Sequence, residues 1–196
     1  MFILLNNIFS QENNKILFSQ DELEIINLVL QKYLYEHPET NILILQDRVR
    51  FSNILNFNNF VDNQENNFEK ELIDDFIKKN TEIFGIIDEN NIFDVKNVEF
   101  YLYSDFYRQY NYQILIENII FEEYINLLKV GDINASLKKY EEYLDIRIDR
   151  THVIISLIGF NKERNKAFLQ FFSSNLIYYG ITGFLLEKNN NEWVIK

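Results

Sequence analysis

Apolar residues recur at every third or fourth position over much of the chain and at every second position after Arg150, and this change of period is the main structural signal. Ser19-Gln-Asp-Glu22 has the form of a capping box, and Leu23, Ile26, Leu30, Tyr33 and Leu34 follow at helical spacing until Pro38. They predict a helix over about 20 to 36. Asn41 to Phe51 is rich in Ile, Leu and Val and predicts an extended segment. Phe68, Leu72, Ile73, Phe76 and Ile77 make a second stripe, with Asp74/Lys78 and Asp75/Lys79 paired one turn apart. A second amphipathic helix follows, capped by Asn67. Between 83 and 112 the signal weakens: Val98, Phe100 and Leu102 alternate like a strand, while Ser104 is placed to cap a short helix through Tyr110. Residues 119 to 129 read as helix up to Gly131, and Asn134 to Leu144 as another, with Leu137, Tyr140 and Leu144 on one side.

After Arg150, His152–Ile158, Ala167–Phe172, Tyr179–Glu187 and Trp193–Ile195 read as four strands joined by polar turns, the last being Asn189-Asn190-Asn191. Strands this close in sequence pair antiparallel, because a parallel crossover needs a dozen or more residues. The expectation is an α+β fold in which N-terminal and central helices cover one face of a C-terminal antiparallel meander of about four strands. With no repeat and no clear linker, residues 1–196 form one domain, its 1–66 portion preceding a core of 67–196. Clusters such as Asn58-Asn59 and Asn90-Asn91 mark turns that five glycines and one proline do not supply.

A hydrophobic fraction of 47% supplies ample core for 196 residues. The net charge of -11 disfavours a nucleic-acid backbone or an anionic membrane as partner and favours a basic protein or a cation. Zero cysteines exclude disulfides, thiolate metal sites and a cysteine nucleophile. No apolar run approaches the roughly 18 residues of a membrane helix. The apolar start Met1-Phe-Ile-Leu-Leu lacks a basic flank. The chain as written therefore reads as cytoplasmic, and as exported if a signal peptide has been truncated before Met1.

Candidate chemistry is sparse. His37 follows the first helix, where a cation is favourable, and His152 begins a strand; two isolated histidines do not make a zinc site. Acidic pairs such as Glu122-Glu123 and Glu141-Glu142 suit solvated helix faces, since neighbours on a helix point about 100° apart. Asp88 to Glu99 echoes a calcium loop, but Ile92 and Phe93 occupy the positions where a ligand and the turn glycine belong. The glycines are too dispersed for a phosphate loop, and Ser104, Ser156 and Ser173 lack a glycine-flanked elbow. No catalytic residue, metal site or cofactor is expected. The dense aromatic block supplies a candidate protein interface at Tyr101, Tyr103, Tyr107, Arg108 and Tyr110, of which one face must enter the core.

Ser156-Leu-Ile-Gly-Phe-Asn161, Asn165-Lys-Ala-Phe-Leu169, Tyr179-Gly-Ile-Thr-Gly-Phe-Leu-Leu-Glu-Lys188 and Glu192-Trp-Val-Ile195, with Asp74-Asp-Phe-Ile-Lys-Lys-Asn80 upstream, form one further pattern. It resembles a family of small, uncharacterised bacterial proteins, often exported or lipid-anchored, whose hallmark is a Ser-Arg-x-Gly-Phe-Asn block and a final Trp-x-Ile. Leu157 stands where that family usually has arginine, and Phe171-Phe-Ser-Ser-Asn175 replaces a glycine-rich connection. The resemblance implies the strand assignment and raises the expectation of export. Physically, Gly159 and Asn161 suit a chain reversal, and Trp193 is expected to bury its ring against the helices while its N–H finds a partner.

The resulting functional expectation is a non-enzymatic protein-binding domain, in specific form an immunity or inhibitor protein that neutralises a basic partner. The alternative is an exported or lipid-anchored envelope protein with a structural role. An enzyme using carboxylates and tyrosines alone requires a deep pocket with two facing carboxylates. Oligomeric state is left open.

Overall fold

The computed structural model describes residues 14–49, 70–83, 85–175 and 179–196. In chain order its elements are β1 (Lys15–Ile16), α1 (Gln20–Glu36), β2 (Ile42–Leu45), β3 (Arg48–Val49), α2 (Lys70–Glu82), β4 (Gly85–Ile87) and β5 (Glu99–Leu102). They continue with α3 (Tyr103–Lys129), α4 (Ile133–Ile146), β6 (Thr151–Ile155), β7 (Gly159–Phe160), β8 (Lys166–Ser174), β9 (Tyr179–Asn189) and β10 (Glu192–Ile195). The fold is α+β, with no helix among the described residues long and apolar enough to cross a membrane.

α1 begins as its capping box dictates: the Ser19 hydroxyl accepts the Glu22 N–H, and the Glu22 carboxylate accepts the Ser19 N–H at 2.8 Å. It buries Ile25, Ile26, Val29, Leu30 and Tyr33 on the sheet, each aliphatic side chain contributing about 1.5–3 kcal/mol. Trp193 packs against the start of the same helix. Its ring is 7% exposed, packs 5.8 Å from Phe160, and donates its N–H to Asp21 of α1 at 3.3 Å.

The larger sheet runs β10-β9-β8-β6-β2-β5, with β7 added to β8. The antiparallel part, β6 through β10, lies where the alternating period places it. Its last turn is a two-residue loop in which Asn190 and Asn191 both take positive φ, 53° and 69°, the conformation that favours tight hairpins with asparagine.

The expected four-strand meander is nevertheless corrected to a mixed sheet of seven strands, because β2 pairs parallel with both β5 and β6. Ile42-Leu-Ile-Leu45 is apolar at every position, as a strand covered on both faces must be. Leu43 and Leu45 join the core under α1, while Ile44 packs on Phe106 and Ile114 of α3. Helices thus cover both faces, not one, with α2 on the same side as α3 and meeting Phe168 through Leu72 and Phe76.

Other boundaries shift for local reasons. The extended segment breaks at Gln46–Asp47, and β3 leaves to join β4 in a separate three-stranded sheet, β1-β4-β3; Phe51 lies outside the described residues. The strand expected over 152–158 stops at Ile155. Beyond it the N–H and C=O of Leu157 are taken by the Asn80 side chain, so the ladder is interrupted. The short helix after Ser104 and the helix over 119–129 are one element, α3, kinked at Tyr110 (φ -108°, ψ 15°). Ser104 does not cap it; the Ser104 N–H is satisfied by the buried Asp47 carboxylate at 3.1 Å. Gly131, at φ 80°, supplies the left-handed residue after α3. The Asp75–Lys79 pair forms at 3.1 Å, whereas the expected Asn67 cap falls outside the described residues.

Candidate functional site

The two sequence segments behind the family resemblance meet in space. Asp75 accepts the Phe160 N–H at 2.8 Å, Lys79 donates to the Ile158 carbonyl at 2.9 Å, and Asn80 exchanges two hydrogen bonds with the backbone of Leu157 at 2.8 and 2.9 Å. A Cβ on Gly159 would stand 2.5 Å from the Phe76 Cβ and 2.8 Å from the Leu72 carbonyl oxygen. Glycine is required there by close approach of α2 to β7, not by the turn angles that the sequence suggested. The reversal itself is made downstream, by Arg164 at φ 53° and by the Asn161 side-chain oxygen, which accepts the N–H groups of Asn165 and Lys166. Leu157 is 5% exposed within the α1 core. These residues form a clamp that fastens α2 to the sheet.

The aromatic candidates Tyr101, Tyr103, Tyr107 and Tyr110 are brought together, half-buried, around the fully buried Phe106. Tyr103 and Tyr107 lie 4.3 Å apart, and the Tyr101 and Tyr110 hydroxyls meet at 3.3 Å. Arg108 is not part of this cluster. Its side chain is 79% exposed and pairs with Asp105 at 3.2 Å. His152 packs beside Tyr103 and Tyr107 at 6.2 and 6.3 Å; burial, and then the nearby Arg150, push its pKa down to about 4. Burial also raises the Tyr107 phenol, and the hydrogen bond with Tyr110 raises Tyr101. At neutral pH His152 is therefore an uncharged imidazole beside the protonated phenols of Tyr101 and Tyr107.

Beneath it, Glu117 is 2% exposed and accepts hydrogen bonds from Arg150 at 2.9 and 3.1 Å and from the Ile148 N–H at 2.7 Å. This buried pair anchors α3 to the start of β6. Sequence reading missed it, because two charges 33 residues apart carry no local signal.

The other histidine, His37, is the C-cap of α1, stacked 4.4 Å from Tyr33 and 3.3 Å from Glu39. Asp88 closes a turn by accepting both N–H groups of Asn90, its carboxyl held below the usual carboxylate range first by the Asn90 backbone and also by Lys15 at 3.6 Å. Among the described residues no three His, Cys, Asp or Glu side chains converge as metal ligands.

Beyond the Phe106 cluster, α3 and α4 pair as a helical hairpin. Phe121 and Tyr124 of α3 interleave with Tyr143 and Tyr140 of α4 at 5.1 Å each, and Lys139 bridges Glu123 and Glu142 at 2.7 and 2.8 Å. Outside that seam the hairpin leaves large apolar side chains exposed. Of the seventeen large hydrophobic side chains exposed among the described residues, nine lie between Tyr112 and Leu144. On α4, Ile133, Leu137 and Leu144 are 55%, 55% and 46% exposed and recur at a spacing that sets them along one face; on α3, Leu115 and Ile119 stand one turn apart. Exposed Glu122, Glu123, Glu141, Glu142 and Asp145 lie in the same two helices. Compared with known protein families, with curated proteins and with solved structures, the chain finds no match in any of the three.

Proposed function

We propose that this protein is a non-enzymatic binding domain whose α3–α4 hairpin receives a basic partner protein, in the manner of an immunity or inhibitor protein. The carrying observation is the concentration of exposed Leu and Ile on the hairpin, a surface that in water is stabilised by covering it. Charge selects the partner. Between Tyr103 and Ile146 stand eight acidic and four basic residues, in a chain of net charge -11. A cationic surface would be steered to this face, and apolar contact would then hold it. On this reading the Tyr101–Tyr110 cluster roots the hairpin on the sheet, and the contact lies further out, on Leu115, Ile119, Ile133, Leu137 and Leu144.

Affinity capture from lysate of the source cells, at low and then moderate salt, tests the proposal. The expected result is enrichment of one basic protein, with recovery falling as salt rises. Recovery of no protein at either salt, or of an acidic one insensitive to salt, contradicts it.

A further inference from the structure

We propose that the cleft at the N-terminal ends of β2 and β6, beside the C-terminus of α4, binds an oxyanion through the Arg147 guanidinium. The cleft encloses about 370 Å³ and is walled by Thr40, Ile42, Leu144, Arg147, Arg150 and Thr151. The Arg147 side chain is 10% exposed, yet its single ionic contact among the described residues is Asp149 at 3.9 Å, beyond hydrogen-bonding distance, and Asp149 itself is 81% exposed.

Guanidinium has five N–H donors, and burying a charge without hydrogen bonds is costly, so native structures seldom leave one in that state. The neighbouring Arg150 is the contrast. Equally shielded, at 14% exposed, it is neutralised by Glu117. Among the described residues, the Arg147 charge at the cleft is thus met only by the distant Asp149 carboxylate. The carboxylates near it, Glu39 and Asp149, stand at the rim, 64% and 81% exposed. The wall also holds the buried Thr40 hydroxyl, which lies close to the hydroxyls of Tyr33, Thr151 and Ser173. A helix C-terminus favours a cation, which explains a basic residue at this position. It does not explain why the side chain is shielded with no hydrogen-bond acceptor among the described residues. A planar fork lined by hydroxyls matches a carboxylate or a phosphate group, the two sources of this chemistry.

Amide spectra of the intact chain, titrated separately with sodium phosphate and with sodium acetate against sodium chloride at matched ionic strength, test the assignment. Saturable shifts at Asn41, Ile42 and 149–151 are expected with one or both oxyanions and not with chloride, at an affinity on the order of millimolar. Saturation by phosphate alone assigns a phosphoryl ligand, and saturation by acetate assigns a carboxylate. Arg147→Gln is expected to weaken binding at least about tenfold while leaving the remaining spectrum intact. If that variant does not fold, Glu39→Arg, at an exposed rim position, carries the test and is expected to tighten binding about threefold. No saturable shift with either anion overturns the proposal, as does unchanged affinity in the folded variant.

Discussion

α1 and α3 lie on opposite faces of one sheet and use it differently. α1 spends its 17 residues on the sheet, and its inward residues Ile25, Ile26, Val29 and Leu30 are fully buried. α3 is 27 residues long, about 40 Å of helix, and buries Phe106, Ile114, Glu117 and Ile120. Its first turns pack on β2 and β5; the rest pairs with α4 and leaves Leu115 and Ile119 in solvent. The same composition of Leu, Ile and Tyr thus serves two ends: stability where the sheet covers it, and presentation where nothing among the described residues does.

Core substitutions should separate the two roles most strongly. Phe168→Ala, beneath α2, and Phe106→Ala, beneath the aromatic cluster, are each expected to cost about 3–5 kcal/mol, read from urea denaturation midpoints. A loss under about 1 kcal/mol at Phe106 would mean that α3 does not depend on the sheet as argued. Gly159→Ala should cost less, about 1–3 kcal/mol, because α2 must move to admit the Cβ. Wild-type stability in that variant would break the account of the clamp.

His152 gives a pH test of the α3 side. Its pKa in the fold is about 4, against 6.5 for the free ring, so between those values the unfolded chain binds a proton that the folded chain refuses. The contribution is complete above pH 6.5 and is lost as pH falls to 4, amounting to about 2 kcal/mol after allowance for the solvent screening of a half-buried ring. His152→Phe should flatten that part of the stability profile, and an unchanged profile would contradict the burial. The smallest effect is expected on the hairpin. Leu137→Ser and Leu144→Ser should each change stability by less than about 0.5 kcal/mol, as exposed positions do. A larger loss would mean that these side chains belong to the core.

Local signals were legible in the sequence. Ser19 and Glu22 fixed the start of α1, Gly131 the end of α3, and the period of two located β6, β8, β9 and β10. Trp193 buried its ring as expected, and its N–H found a partner, which is Asp21. Long-range features were not. The partners of β2 lie more than fifty residues away, and its fully apolar run, the one available sign of a strand covered on both faces, also fits a strand at a sheet edge. Of the expected interface, the four tyrosines cluster and Arg108 does not, because Tyr103, Phe106, Tyr107 and Tyr110 share one face of α3 and Arg108 points about 100° away from it. The sequence set Leu137, Tyr140 and Leu144 on one side of α4, but that Tyr140 turns into the seam with α3 while Leu137 and Leu144 face solvent required the placement of α3.

The central claim is that the outer face of the hairpin binds a partner without contributing to the fold. Its most direct test is calorimetric titration of the captured basic protein against wild type and against an Ile133→Ser, Leu137→Ser, Leu144→Ser variant of matched thermal stability. The expected result is affinity at least about 100-fold weaker in the variant. Undiminished affinity in a folded variant would contradict the claim.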